Sequence, residues 1–241
     1  MARIKHIPSA APRSHIAQKK KRIEDQDKPL TRWKAVIELG ASHAEASIKK
    51  PDGQWEVVRW AKGSGAGSLG GAEAIPTMTA VKRDGDTKEM RHGHAALRAR
   101  MIHPTSWEMF SHLKLAFVAD APTLAIKQAL SRQEERAAAL GLTIEEVAAA
   151  FFAHVLQNVV DRCHGPLELY FNISDTWSNR KAQDLVERFQ KLAPQAKIYS
   201  IDECFASLVG CVGSSSSEDS AEGPRLVVDC GGSTMVRCLI L

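Results

Sequence analysis

The chain has 241 residues, 44% hydrophobic and 25% charged, with 32 Lys or Arg against 28 Asp or Glu and a net charge of +4. That length supports one large or two small domains with a substantial core, and no apolar run approaches the roughly 18 residues needed to cross a bilayer, so no membrane span is expected. Seven of the basic residues lie between Met1 and Arg22, which holds no acid, leaving 25 basic against 28 acidic residues beyond it; a body at −3 is not a polyanion-binding surface, and no specific nucleic-acid partner is expected.

Residues 1–32 are polar, basic and proline-punctuated, too poor in apolar surface to offset ordering entropy, and are expected to form a disordered tail. Lys19-Lys20-Lys21-Arg22 is compatible with a nuclear address. Cys163, Cys204, Cys211, Cys230 and Cys238 are odd in number and contain no Cys-x-x-Cys. Without a secretory signal peptide they read as buried, reduced thiols of an intracellular protein, cytoplasmic or nuclear. The nearest metal-like pair, His92-x-His94, sits in a polar segment and is expected to be solvated.

From Trp33 the pattern is strand-like: Ala35 to Leu39, Ala44 to Ile48, a Pro51-Asp52-Gly53 turn, then Gln54 to Trp60, a three-strand meander. Gly65 to Gly70 spells Gly-x-Gly-x-x-Gly, but Ile75-Pro76-Thr77 reads as extended and leaves no room for the helix that a dinucleotide fold aims at its pyrophosphate, so a surface loop is expected. Thr77 to Val81 and Thr87 to Arg91 form a hairpin around Asp84-Gly85, leading through Gly93 into Ala95 to Arg100. Thr105-x-x-Glu108 reads as a capping box opening a helix with Phe110, Leu113 and Phe117. Thr123 starts a second helix that Gly141 ends. Thr143-x-x-Glu146 opens a third, with Ile144, Val147, Ala148, Phe151, Val155 and Val159 on one core-facing side. Leu167 to Ile173 is a continuous apolar strand. Ser174-Asp175 begins a helix burying Ala182, Leu185, Val186, Phe189 and Leu192, and Lys197 to Ile201 is again a strand, so this part pairs in parallel. A short helix from Asp202 carries Glu203, Phe205, Ala206, Leu208 and Val209. Residues 213–224 form a Ser-rich linker, and 225–241 a final hairpin.

Two segments share a grammar that points to phosphate chemistry. Leu226-Val227-Val228-Asp229-Cys230-Gly231-Gly232-Ser233-Thr234 is an apolar strand that delivers a carboxylate, then two glycines and two hydroxyls. Ala35-Val36-Ile37-Glu38-Leu39-Gly40-Ala41-Ser42 repeats it. Such turns offer backbone N–H groups to a polyphosphate while the carboxylate faces a metal ion. For either turn alone, a hairpin whose glycine merely permits an unusual φ is the alternative.

A meander opened by a carboxylate-glycine loop, a strand-helix-strand unit, a Glu-bearing helix and then Asp-Cys-Gly-Gly-Ser-Thr resembles the actin-like ATPase superfamily, most of all the seventy-kilodalton heat-shock chaperones and their fungal relatives. The resemblance runs from about Trp33 onward. It implies an α/β, ribonuclease-H-like mixed sheet flanked by helices, with 33–212 as a first lobe, 225–241 as the first hairpin of an incomplete second lobe, and Mg-ATP between lobes. It implies phosphate contacts from Glu38, Gly40, Ala41, Ser42, Asp229, Gly231, Gly232, Ser233 and Thr234, with Mg held through Glu38 and Asp229. Glu203 corresponds to the glutamate that positions the attacking water, and Lys114 to the lysine on the transferred phosphate. Two departures stand out: Glu38 replaces an aspartate, and Ala41 replaces a hydroxyl. The expectation is a chaperone-like nucleotide-binding protein impaired in hydrolysis. The alternatives are a non-catalytic interaction module, whose partner would meet an exposed apolar strand at Leu239 to Leu241, and a fragment of a longer ATPase.

Overall fold

The computed structural model describes residues 32–61, 71–84, 87–118, 123–174, 177–203, 206, 225–230 and 235–240, the last two stretches and residues 83–84 by backbone only. Residues 1–31 of the basic tail, the glycine run at 62–70, the linker and the turn 231–234 lie outside these residues.

The elements, in chain order, are β1 (Trp33–Leu39), β2 (His43–Lys49), β3 (Trp55–Val57), β4 (Ala74–Pro76), β5 (Met78–Asp84), β6 (Thr87–His92), α1 (His94–Ile102) and β7 (Glu108–Ser111). A 3-10 turn (Leu113–Phe117) follows, then α2 (Leu124–Ala139), α3 (Ile144–Val160), β8 (Leu167–Ile173), α4 (Asn179–Leu192), β9 (Ala196–Asp202), β10 (Arg225–Cys230) and β11 (Met235–Ile240).

The main sheet runs β3-β2-β1-β8-β9, with β4 also paired to β2. β1 and β2 are antiparallel, as are β2 and β3, whereas β8 is parallel to β1 and β9 parallel to β8. This mixed sheet with helices against it is the expected ribonuclease-H-like arrangement. Strict alternation assigns its faces: Ala35, Ile37 and Leu39 of β1 and Ala44, Ala46 and Ile48 of β2 are all buried, while Lys34, Val36 and Glu38 point the other way. The buried face packs on α3 and, through β9, on α4.

Helix α3 is central because its composition leaves it nowhere else to go. Ile144, Val147, Ala148, Phe151, Phe152, Val155, Leu156 and Val159 are all buried. Its start is the expected capping box: Thr143 Oγ1 accepts from Glu146 N at 3.1 Å, and Thr143 N donates to Glu146 Oε2 at 2.7 Å. The α2 boundaries also follow their signals, with Thr123 Oγ1 accepting from Ile126 N at 3.2 Å and Gly141 in the left-handed region at φ 65°.

A second, three-stranded sheet, β6-β5-β7, carries α1 on one side, where Ala80, Ala96, Ala99 and Trp107 form a small separate core. The other side joins the main core through Val81 and Phe110. β10 and β11 pair antiparallel with Asp229 opposite Val236, so the hairpin expected at the end of the chain is present in its backbone.

Four expectations are corrected. Thr105-x-x-Glu108 does not open a helix: Glu108–Ser111 is strand β7, paired with Met78 to Val81, because β5 would otherwise leave an edge unpaired, and ladder hydrogen bonds outweigh a local capping signal. Glu108 instead binds Arg136 at 2.8 Å. The fourth helix starts at Asn179 rather than at Ser174, and its Leu192 is exposed. Arg32, assigned to the tail, pairs with Glu168 of β8 at 3.2 Å. His92 is not solvated: it stacks on His154 with ring centroids 5.0 Å apart and bonds Thr79 Oγ1 through Nδ1 at 2.9 Å.

Candidate functional site

β1, β8 and β9 run in the same direction, so their carboxyl ends open onto one edge of the sheet, where open α/β sheets place their ligands. A cavity of about 290 Å³ lies there, lined by Val36, Ile37, Glu38, Tyr170, Phe171, Asn172, Ile201, Glu203 and Ala206. Glu38 and Glu203, 165 positions apart in sequence, therefore face one space.

A relay of hydrogen bonds ties these strand ends together. Leu39 N donates to Asn172 Oδ1 at 2.6 Å, Asn172 Nδ2 donates to Glu203 Oε1 at 3.1 Å, and Lys114 Nζ donates to the same oxygen at 2.6 Å. Lys114 is 3% exposed and Glu203 12%. Burial of an ammonium at that depth is tolerable only beside a counter-charge, which Glu203 supplies. The other oxygen, Glu203 Oε2, is buried and has no hydrogen-bond partner among the described residues. A charged oxygen left in that state is an acceptor awaiting a donor, such as water or a ligand hydroxyl.

Lys114 reaches the site because of how its 3-10 turn is anchored. His112, in the left-handed region at φ 52°, turns the chain out of β7, and Leu113 to Phe117 are all buried. Phe117 stacks on Trp177 at 4.9 Å and packs on Phe152 at 5.5 Å. Ser178 N donates to Phe117 O at 3.0 Å, and Lys181 Nζ to Ala116 O at 2.7 Å. The turn is thereby fixed between α3 and the start of α4.

The first glycine loop connects β1 to β2. A Cβ at Gly40 would collide with the carbonyl oxygen of His43, so the hairpin closes this tightly only with glycine there. Buried Thr77 braces the loop, donating from Oγ1 to Gly40 O at 2.9 Å and from N to Ser42 O at 2.7 Å. Ala41 is buried and Ser42 half-buried. Glu38 stands opposite Glu45 in the ladder on the exposed face, a like-charged cross-strand pair at the mouth of the loop.

Of the expected site residues, Glu38, Glu203 and Lys114 are thus brought to one edge, beside the loop of Gly40, Ala41 and Ser42. Asp229 is described by its backbone alone, and Gly231, Gly232, Ser233 and Thr234 lie outside the described residues, so the proposed opposition of Glu38 and Asp229 does too. Among the described residues no three His, Cys, Asp or Glu side chains are grouped as metal ligands. Sequence reasoning missed Asn172 and Thr77. For Asn172 a signal existed: it is the one amide in the otherwise apolar stretch Leu169 to Ile173.

A mixed sheet with this strand order and helices against it is an actin-type, ribonuclease-H-like fold. Comparison with solved structures agrees. MreB5 of Spiroplasma citri bound to ADP matches with a TM-score of 0.53 at 14% identity, over 88% of this chain and 49% of that one. The same protein bound to AMPPNP gives 0.53 at 15% identity over the same shares, and a MamK double helical filament gives 0.51 at 13% identity, over 86% of this chain and 49% of the other. The chain thus spans about half the length of the structures it matches. Neither a protein-family model nor a curated protein sequence matches it.

Proposed function

We propose that the chain forms the phosphate-contacting half of a Mg-nucleotide site in an actin-fold protein, and that its own residues bind nucleotide better than they hydrolyse it. The observation that carries this reading is the convergence of Glu38, Asn172 and Glu203 on one cavity at the ends of three parallel strands, with Lys114 bound to Glu203 behind it. Glu203 Oε2, without a hydrogen-bond partner among the described residues, suits a residue that accepts a hydrogen bond from water, and the tight Gly40 hairpin suits close approach of backbone to phosphate. Nucleotide in the MreB5 structures adds support by analogy of fold.

Where the site holds Mg, Glu38 would be one of the residues that hold it, with Asp229 as its proposed counterpart, and the ion would supply charge neutralisation for the phosphates. The departures limit turnover. Glu38 carries its carboxylate one methylene further out than an aspartate would, and Ala41 offers no hydroxyl, whereas phosphoryl transfer depends on placement to within about half an ångström. Lys114 is also engaged with Glu203 rather than extended toward the cavity. The order of motifs further supports kinship with the seventy-kilodalton heat-shock chaperones, with a partner protein at the β11 edge.

Calorimetric titration with Mg-ATP tests the reading. Saturable binding that is lost in Asp229→Ala and weakened in Glu38→Ala supports it, with phosphate release near background. Absence of binding at millimolar Mg-ATP refutes it.

A further inference from the structure

The face of the main sheet turned away from α3 carries an apolar band between two belts of charge. The band crosses the strands in register as Val57, Ser47, Val36, Tyr170 and Tyr199, on β3, β2, β1, β8 and β9. It is open to solvent: Val57 is 44% exposed, Val36 42% and Tyr199 40%, and the Tyr170 and Tyr199 rings stack on each other at 5.0 Å. A contiguous apolar band of this kind on a sheet face marks a contact surface.

On one side of the band Lys49 stands opposite Lys34, with Glu168 and Lys197 continuing the row. Arg32 and Lys34 share that row's carboxylate, Glu168, at 3.2 and 3.7 Å, and Lys49 lies over the Trp55 ring at 5.7 Å. This belt therefore sets Arg32, Lys34, Lys49 and Lys197 against one acid. On the other side of the band Glu45 stands opposite Glu38. Like charges directly opposite in a ladder are unfavourable, and here two such pairs of opposite sign flank one apolar band. We propose that this face is the contact surface for a second copy of the chain, related by a two-fold axis that runs along the apolar band.

The charges choose the axis. Half a turn about a line across the strands lays each strand antiparallel on its own counterpart, so Val36, Tyr170 and Tyr199 meet their equivalents. Glu45 then meets Lys49 of the second copy, and Glu38 meets its Lys34. The interface is isologous, so every such pair forms twice, and packing of the two sheets with their strands nearly aligned is a standard arrangement. An axis along the strands would instead set lysine on lysine and glutamate on glutamate. The face is small: five strands about 4.8 Å apart and five residues of about 3.3 Å give roughly 400 Å² per copy, the size of a weak, reversible contact, with a dissociation constant on the order of 10 to 100 μM.

Val36, Glu38 and Tyr170 also line the strand-end cavity, so the test is run without nucleotide. It is analytical ultracentrifugation of the full chain from about 5 to about 500 μM. The expected result is a monomer–dimer equilibrium that weakens severalfold between about 50 and 500 mM salt and is abolished by Tyr199→Glu. Glu45→Lys and Lys49→Glu should each weaken the dimer about tenfold, since each places two like-charged contacts in it, and the two changes combined should restore it to within about threefold. Each single change also relieves a like-charged pair within its own chain, so it should weaken the dimer without lowering the Tm of the monomer. A monomer at every concentration, as a face kept for a different protein would give, overturns the proposal. So does association indifferent to Tyr199→Glu, or a double charge exchange no tighter than either single one.

Discussion

The Lys114–Glu203 pair offers the sharpest test of the site as built. Its atoms approach to 2.6 Å with both side chains nearly out of solvent. At an effective dielectric near 20, two unit charges at that separation attract by about 6 kcal/mol before the cost of removing them from water is subtracted. Deleting one partner leaves that cost unopposed. Lys114→Met preserves the length and apolar stem but leaves Glu203 with Asn172 as its described hydrogen-bond donor, and should destabilise the fold by about 4 kcal/mol. Glu203→Gln keeps an amide oxygen for Lys114 and should cost about 3 kcal/mol. The double variant loses attraction and desolvation together and should fall by only about 1 to 2 kcal/mol, well short of the sum of the single changes. Urea unfolding of the four proteins, with extrapolation to water, measures each number and the coupling between them. Single variants that lose less than about 1 kcal/mol, as exposed ion pairs do, or a double variant that loses the simple sum, would refute the claim that the two charges share a buried contact.

Three further outcomes follow from individual contacts. His92 takes up a proton near 6.5 in the unfolded chain but only at about 4 in the fold, so the stability this imidazole contributes is complete above pH 6.5 and is lost as the pH falls from 6.5 toward 4. The loss is about 3 kcal/mol, and His154 shifts in the same direction. Urea melts of wild type and His92→Gln at pH 7 and 4.5 should differ in slope against pH, and identical slopes count against the buried imidazole. Gly40→Ala forces a methyl group into the His43 carbonyl and should cost about 2 kcal/mol or more, read as a fall in Tm; a neutral change would mean that the loop does not hold the His43 carbonyl against Gly40. Thr143→Ala removes the capping-box acceptor and should cost about 1 kcal/mol by the same melt, with Thr143→Ser restoring most of it.

What the sequence made legible divides by distance along the chain. The Thr143 cap, the Gly141 terminus, the apolar stripe of α3 and the alternation of β1 and β2 are consequences of neighbours within a few residues, and each is found where its pattern lies. Strand β7 runs against its sequence pattern because its helix signal, Thr105 and Glu108, is local, while the reason it is a strand, the edge of β5 some 30 residues earlier, is not. The half-buried histidine stack has the same origin: His92 follows polar Lys88, Glu89 and Arg91, and nothing nearby shows that α3 packs beside it. Thr77 escaped notice because its task is to brace a loop 37 residues away.

The site itself is the extreme case of that rule. Glu38, Lys114, Asn172 and Glu203 come from four different elements, and no window of sequence holds two of them in a telling spacing. Their convergence follows from the parallel placement of β8 and β9 beside β1, which puts the ends of all three strands on one edge. Asn172 is the hinge of this arrangement, since its single amide reads the backbone of β1 with its oxygen and the carboxylate after β9 with its nitrogen. Asn172→Leu would therefore leave Leu39 N and Glu203 both short of a partner at a buried position, and should cost about 2 to 4 kcal/mol. Asn172→Asp would place a second carboxylate beside Glu203 and should weaken binding of an anionic nucleotide more than Asn172→Leu does, although it retains an acceptor for Leu39 N. If the two variants lose Mg-ATP in equal measure while melting at the same temperature, Asn172 only fills space, and the strand-end relay is not what organises the cleft.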